Sequence, residues 1–352
     1  MAGLSFILDK SGAHSQNLEL RALLCVKLKN LVGVDHLSTI DASTNLAQTY
    51  AHLGQYTKAK TLETDALKRN IRLLGPDHLN TTLASANLAT TYRRLGRYTE
   101  AEELQIEVLE QRKNFLGSDH LLTIQASANL AATYRDLGKY PDAAELELDV
   151  LSQRTRLLGD NHPETVRASA NLAGTYRQVG LFTEAMELEV EVLEKRMKIL
   201  GVDHPDTIRA SANLAGNYRN LAKYPEAEEL EVKVLDQRTK LLGVDHPDTI
   251  LASANLAATY SKQGRHTEAE VLQKDVLQRK IALFGNRHPH TLTAMRNLAS
   301  TYKMTQRHSE ALELTQSSYL GHVEVLGKDH PYTLGVAELL ASLTVERFVK
   351  VD

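Results

Sequence analysis

The stretch LLGVDHPDTILASANLAATYSKQGRHTEAEVLQKDVLQRK, residues 241–280, decides the fold, because nearly every other segment of the chain is a variant of it. An apolar residue followed by Gly recurs at Gly33, Gly75, Gly117, Gly159, Gly201, Gly243, Gly285 and Gly327, each 42 residues after the last. A fixed period of that size marks a stacked array in which each unit contacts only its neighbours. Seven units run in register over residues 33–326. Residues 1–14 fit no unit, whereas 15–32 have the apolar spacing of a second half-unit, so the chain is expected to begin inside a repeat. After Gly327 only one helix-sized segment remains, 333–349, and the expected division is 1–32, 33–326 and 327–352.

Within a unit the first segment reads T-x-x-A-S-x-N-L-A-x-x-Y-x-x-x-G, as in Thr123 to Gly138. Ala126, Leu130, Ala131, Tyr134 and Leu137 recur at steps of three and four, which places them on one face of a helix. Upstream stands Asp-His-Pro, as at Asp203, His204 and Pro205; proline at the first helical position gives up only an N–H that has no intrahelical partner. Leu37, Leu79 and Leu121 take that place in the first three units, so the proline assists without being required.

Gly54, Gly96, Gly138, Gly180 and Gly264 are suited to end the first helix in a left-handed turn. Ala222 and Gln306 stand at that point in two units, where a strained or longer turn is expected. A second helix opens at Thr-Glu-Ala or Pro-Glu-Ala and runs through residues such as Leu104, Val108 and Leu109; Thr99 with Glu102, and Thr267 with Glu270, have the spacing of a capping box. With no strand-like alternation, the fold class is all-α.

A net charge of -3 with 24% charged residues of both signs excludes recognition of nucleic acid or a membrane surface through the overall field. The single cysteine, Cys25, lies in an apolar run and is expected to be a buried, inert thiol in a reducing compartment. The opening MAGLSFILDK has no basic region before its short apolar run, and no stretch reaches the roughly 18 apolar residues of a membrane span, so a cytoplasmic protein is expected.

The pattern N-L-A-x-x-Y-x-x-x-G-x-Y/F-x-x-A resembles the tetratricopeptide (TPR) repeat, and the 42-residue unit with L-G-x-x-H-P-x-T resembles the kinesin light chain type, over residues 33–332. Similar arrays form the sensor regions of STAND-type (NB-ARC) signalling ATPases. The resemblance implies a right-handed superhelical solenoid of antiparallel helix hairpins, whose first helices line a concave groove for an extended peptide or a partner protein. No heptad coiled coil precedes the repeats, which argues against a motor subunit, and no G-x-x-x-x-G-K-[ST] loop is present.

Counted from the Asn of N-L-A, offsets -4, -1, 0, +3, +6 and +7 fall within about 120° of one another, opposite the Leu and Tyr face. That face carries Asn45, Asn87, Asn129, Asn171, Asn213, Asn255 and Asn297. An amide both donates and accepts, so a row of Asn suits a peptide backbone; in an alternative role each Asn bonds the neighbouring repeat and fixes the stacking. The +6 offset gives Arg93, Arg135, Arg177 and Arg219, and the -4 offset adds Arg167 and Arg209. Six Arg on one strip suit carboxylates or another anion, unless acids nearby already pair with them. Leu251, Ala258, Ser261 and Lys262 replace this set later in the chain, which points to repeats two to five for specificity.

His36, His78, His120, His162, His204, His246, His288 and His330 each sit alone in a separate turn, without a second ligand at metal spacing, and are expected to cap helices, helped by the preceding Asp. His266, His290, His308 and His322 are expected at the surface. No metal, cofactor or convergent catalytic group is expected. The reading is a protein-interaction scaffold for an extended acidic segment, with possible partners in a second copy through the terminal half-repeats. The alternatives are a ligand-sensing array of a STAND-type receptor, and an enzyme or small-molecule binder using the interior of the superhelix.

Small residues at the helix contact make the packing testable. Ala131→Leu overpacks its unit and is expected to lower stability by roughly 1–3 kcal/mol, read as a lower melting temperature. An unchanged melt would remove Ala131 from the contact.

Overall fold

The turn that repeats every 42 residues is built on backbone geometry closed to ordinary side chains. In the computed structural model, which describes residues 14–349 and the side chains of 17–345, Gly75, Gly117, Gly159, Gly201, Gly243, Gly285 and Gly327 have φ of 83° to 90° with extended ψ. Only glycine adopts that combination readily. The unassigned segment 1–13, including the stretch read for a signal peptide, lies outside the described residues.

Four residues after each such glycine a first helix begins, and the histidine before it holds the entry. The backbone N–H of Ser38, Asn80, Leu122, Glu164, Asp206, Asp248, His290 and Tyr332 donates to the Nδ1 of the His two positions earlier, at 3.1–3.2 Å. This meets one of the orphan N–H groups that every helix start exposes. Thr39, Thr81, Thr123 and Thr333 then donate back across the turn to the carbonyl of the Gly, at 2.8 Å.

Sixteen helices follow one another among the described residues, with no strand. The chain divides into two compact units, one ending at Gly180 and one starting at Leu181. The first holds α1 (His14–Val32), α2 (Leu37–His52), α3 (Tyr56–Leu74), α4 (Leu79–Arg94), α5 (Tyr98–Leu116), α6 (Leu121–Asp136), α7 (Tyr140–Leu158) and α8 (Pro163–Gln178). The second holds α9 (Phe182–Leu200), α10 (Pro205–Asn220), α11 (Tyr224–Leu242), α12 (Pro247–Lys262), α13 (His266–Phe284), α14 (Pro289–Met304), α15 (His308–Leu326) and α16 (Pro331–Val349). Within each unit every helix packs on the next, so the fold is a TPR-type series of helix hairpins. Nothing in the 42-residue period marks the division after Gly180.

The core is thin and made of small contacts. Ala89, Ala131 and Ala173 on first helices, and Ala101 and Ala143 on second helices, are fully buried, which lets the backbones approach closely. Larger side chains fill the flanks: Val108, Leu109, Ala126 and Leu130 form one cluster with Tyr134 and Leu146 against it. Cys25 is buried with Ala42 and Leu46, its sulfur 3.2 Å from the Ser43 hydroxyl.

Two local expectations are corrected, and at the glycine-free turns the strained alternative holds. The second helices start one position before Thr99 and Thr267, with Arg97 and Arg265 as caps that make no side-chain cap bond. No capping box forms, because Glu102 is drawn to Lys139 of the next unit at 2.6 Å and Glu270 to Arg307 and Lys274. In three turns the Asp before the capping His is engaged elsewhere: Asp35 pairs with Arg69 and Arg72, Asp119 with Arg156 and Asp245 with Arg279, tying the turn to the second helix of the same repeat. The glycine-free turns keep their length, and Ala222 and Gln306 take φ of 56° and 59°.

A left-handed conformation at a residue with a Cβ carries roughly 1–2 kcal/mol of strain. Ala222→Gly and Gln306→Gly are therefore each expected to stabilise the protein by about 1 kcal/mol, after glycine's larger unfolded-state entropy is set against the relief. The urea midpoint measures it, and an unmoved or lower midpoint would contradict a strained turn.

Candidate functional site

The first helices carry the candidate binding residues, and the second helices behind them decide how those residues are held. Asn87, Asn129, Asn171, Asn213 and Asn255 are all half-buried, as is Asn297, while Asn45 is exposed. Asn129 Oδ1 accepts from Gln125 Nε2 at 2.9 Å, while Asn87 Nδ2 is buried without a hydrogen-bond partner. In the first unit, α4 and α6 lie against each other, so successive faces of this kind adjoin.

The arginines of the strip are engaged with acids of their own chain. Arg93 donates to Asp136 on α6 at 2.9 Å. Arg135 stands 3.2 Å from Glu147 on α7, and Arg219 stands 3.2 Å from Glu231 on α11. Arg167 pairs with Glu164, and Arg209 with Asp206 at 2.5 Å, each three residues back on its own helix. Arg177 also has a partner. The acids are buried and the bases are not: Glu147 is 5% exposed and Glu231 4%, against 27% for Arg135 and 25% for Arg219. The contact at Arg219 Nε is an ion pair without hydrogen-bond alignment and that N–H is buried, while Nη1 donates to the Asn255 carbonyl at 3.5 Å.

Glu147 and Glu231 belong to a column that a search for exposed groove residues passes over. Glu63, Gln105, Glu147, Glu189, Glu231 and Gln273 stand 42 residues apart, buried on second helices. Each Glu meets the following first helix: Thr175 donates to Glu147 at 2.6 Å, Asn217 to Glu189 at 2.6 Å and Thr259 to Glu231 at 2.5 Å. The signal was present in the sequence, since Ala143, Glu147, Val150 and Arg154 fall on one helical face and that face is the core side.

A second column, buried at Arg112, Arg154 and Arg196 and half-buried at Arg238, runs one turn beyond each Val. Arg112, Arg154, Arg196 and Arg238 donate to the carbonyls of Leu122, Glu164, Asp206 and Asp248, each ten residues on, at 2.8–3.1 Å. These bonds fasten a second helix to the start of the next first helix. His322 occupies this column and is 1% exposed, with Nδ1 2.8 Å from the Ser318 carbonyl, so it is a core residue and not the surface histidine expected.

Family comparison follows from this geometry. Tetratricopeptide repeat models match residues 38–98, 81–152, 206–282 and 249–319, and a further tetratricopeptide repeat model matches 165–206. The chain belongs to the tetratricopeptide repeat family. It is similar to a Podosopora anserina protein described as a kinesin light chain with nearly identical TPR-like repeats, at 27% identity over 60% of this chain and 99% of that one, with a TM-score of 0.53. BtubC (BKLC) from P. vanneervenii shares 22% identity over 67% of this chain and 92% of that one, TM-score 0.52. A STAND protein with a tetratricopeptide repeat sensor from Pyrococcus horikoshii shares the fold at 16% identity, over 87% of this chain and 44% of that one, TM-score 0.64. No curated protein matches the sequence at a significant level. TPR arrays are typically non-enzymatic scaffolds that bind protein partners. Among the described residues no helix is long and apolar enough to cross a membrane.

Burial pushes the Glu63 carboxyl pKa up, against a smaller lowering by the Thr91 hydroxyl, and its Oε2 is buried without a partner. A carboxyl whose pKa is raised on folding holds more protons folded than unfolded between its ordinary value and the raised one. Its contribution therefore becomes more favourable as pH falls from neutral through that window. Glu63→Gln, copying Gln105, removes the charge that burial penalises and is expected to raise the melting temperature at neutral pH. That advantage shrinks as pH drops toward the ordinary carboxyl value of 4.5. Melting curves of both proteins across pH would refute this if the gap stayed constant.

Proposed function

We propose that the protein is an interaction scaffold in which the first-helix face of repeats two to five takes an extended, acidic segment of a partner. The observation that carries the reading is the state of Arg135 and Arg219. Each is about a quarter exposed and positioned from behind by a buried carboxylate at 3.2 Å. A guanidinium fixed in this way loses little conformational freedom on binding, and it presents a planar fork suited to carboxylate. Arg93, Arg177, Arg167 and Arg209 extend the same chemistry, and Asn87, Asn129, Asn171, Asn213 and Asn255 supply amides for the backbone of the bound segment. We place it in the cytoplasm, with residues 15–32 and 327–349 as half-repeats flanking the seven units.

A second reading, a ligand-sensing array of the STAND type, is favoured by a cavity in the second unit between α12 and α14. Self-association is a further proposal, resting on exposed apolar side chains of the outer helices, Leu23 and Val26 on α1 and Tyr332 and Leu334 on α16. Light scattering checks it: a monomer mass at every concentration would dismiss it.

Simple charge reversal at Arg135 and Arg219 would set two carboxylates side by side in a buried place, so the test borrows a neutral pair from the chain itself. Arg135→Ser with Glu147→Gln, together with Arg219→Ser with Glu231→Gln, reproduces Ser261 and Gln273 at equivalent positions. Fluorescence polarisation against unstructured peptides graded in Asp and Glu content is expected to show affinity rising with acid content. The fourfold variant should lose about 1.4 kcal/mol or more of binding, tenfold in affinity, while keeping its circular dichroism melt. Undiminished binding of acidic peptides by the variant would sink the groove reading.

A further inference from the structure

The second unit contains a place where the repeat loses its acids and keeps its base. In the hairpin of α10 and α11, Arg219 and Glu231 occupy the space between the first-helix face and the second helix. One repeat later these positions are Ser261 and Gln273, whose hydroxyl and amide nitrogen lie 3.4 Å apart. A cavity of about 380 Å³ opens there, walled by Ala254 and Ala258 of α12 and by Met304 of α14, with Gln273, Val276 and Lys280 of α13 as its floor. That volume is within the range of small-molecule pockets.

Charge changes at the same place. Arg238, the half-buried member of the basic column one repeat earlier, donates to the Asp248 carbonyl at 2.8 Å, and Arg154 also pairs with the Glu164 carboxylate at 3.2 Å. At the cavity the acid of that position is His290, and Gln273 replaces the buried Glu, yet the cation persists as Lys280. Lys280 Nζ makes one long bond, to the His290 carbonyl at 3.4 Å. Burial alone moves its pKa, downward, with no neighbouring charge to hold it up. Gln273 is more than nine-tenths buried, and its Oε1 has no hydrogen-bond partner. Lys262, also at the cavity, adds a second positive charge.

We propose that this cavity binds a small organic carboxylate with an apolar body, the carboxylate seated on Lys280 and the body against Val276, Ala254, Ala258 and Met304. Gln273 lies two helical turns from Lys280, about 10 Å along the axis, so an acid carrying a hydroxyl at its far end meets the unsatisfied amide as well. The site shares none of its named residues with the arginines of peptide capture, and either reading can fail without the other.

The test uses the full chain with phloretate, a phenol on a propionate arm, and its uncharged amide as probes, followed by calorimetry and thermal shift. Phloretate is expected to bind saturably and raise the melting temperature, with the amide at least about tenfold weaker. Ser261→Arg with Gln273→Glu rebuilds the Arg219–Glu231 arrangement and should abolish binding without lowering the melting temperature. Lys280→Met should reduce the acid to the affinity of the amide. Equal binding of acid and amide, retained binding in the rebuilt variant, or no saturable binding at millimolar phloretate would overturn the assignment.

Discussion

The positive-φ glycine that closes each second helix, and the histidine cap that follows three residues later, set the geometry on which everything else rests. At Gly201 the chain takes φ 87° and ψ 164°, and His204 then accepts the N–H of Asp206. A turn of fixed length and fixed torsion delivers each first helix to the same place on the preceding second helix. Fully buried alanines tolerate no other spacing, since a methyl-to-methyl contact has no side-chain length with which to compensate.

Identical hairpins have a consequence for polar groups. A buried Glu or Arg in an isolated hairpin would face a large desolvation penalty, but in a stacked array the adjacent repeat supplies a partner at the same point every time. Glu147 thus receives the Thr175 hydroxyl, and Arg154 reaches the Glu164 carbonyl. Because partners come from nearest neighbours only, replacing one member changes the chemistry of one place and leaves the remainder of the stack standing. The array can vary locally without refolding globally, as Ser261 and Gln273 demonstrate between Glu231 and Thr315.

The helices, their ends and the small-residue contact were legible in the sequence because they depend on period and on residue types with narrow conformational roles. Gly138, His120 and Ala131 each admit one use at their positions. Long side chains were less legible. A 100° wheel gives the direction of a Cα–Cβ bond, whereas the guanidinium of Arg135 ends several ångströms away, and its destination was fixed by Glu147 on another helix. Asp35 and Glu102 were misassigned for the same reason: local spacing offered a capping role, and a partner distant in sequence, Arg69 or Lys139, took the charge. His322 looked like a surface residue because its column is visible only when second helices are aligned on their buried face.

The pairing of Arg135 with Glu147 also constrains what any acidic partner could do. Breaking the pair would strand a 5% exposed carboxylate, and an uncompensated buried charge costs several kcal/mol. A docking carboxylate therefore cannot displace Glu147; it has to add to the guanidinium through N–H groups the glutamate does not use. Arg has five such donors in one plane, so the available approach is edge-on from the exposed side. Lysine in the same position would present one charge with no second edge, and the buried glutamate would consume it. Glu147, Glu189 and Glu231 occupy the column positions behind Arg135, Arg177 and Arg219, whereas Gln105 takes that position behind Arg93, which pairs with Asp136 instead, so the pairings of Arg93, Arg135 and Arg219 are each made with an acid of the same chain.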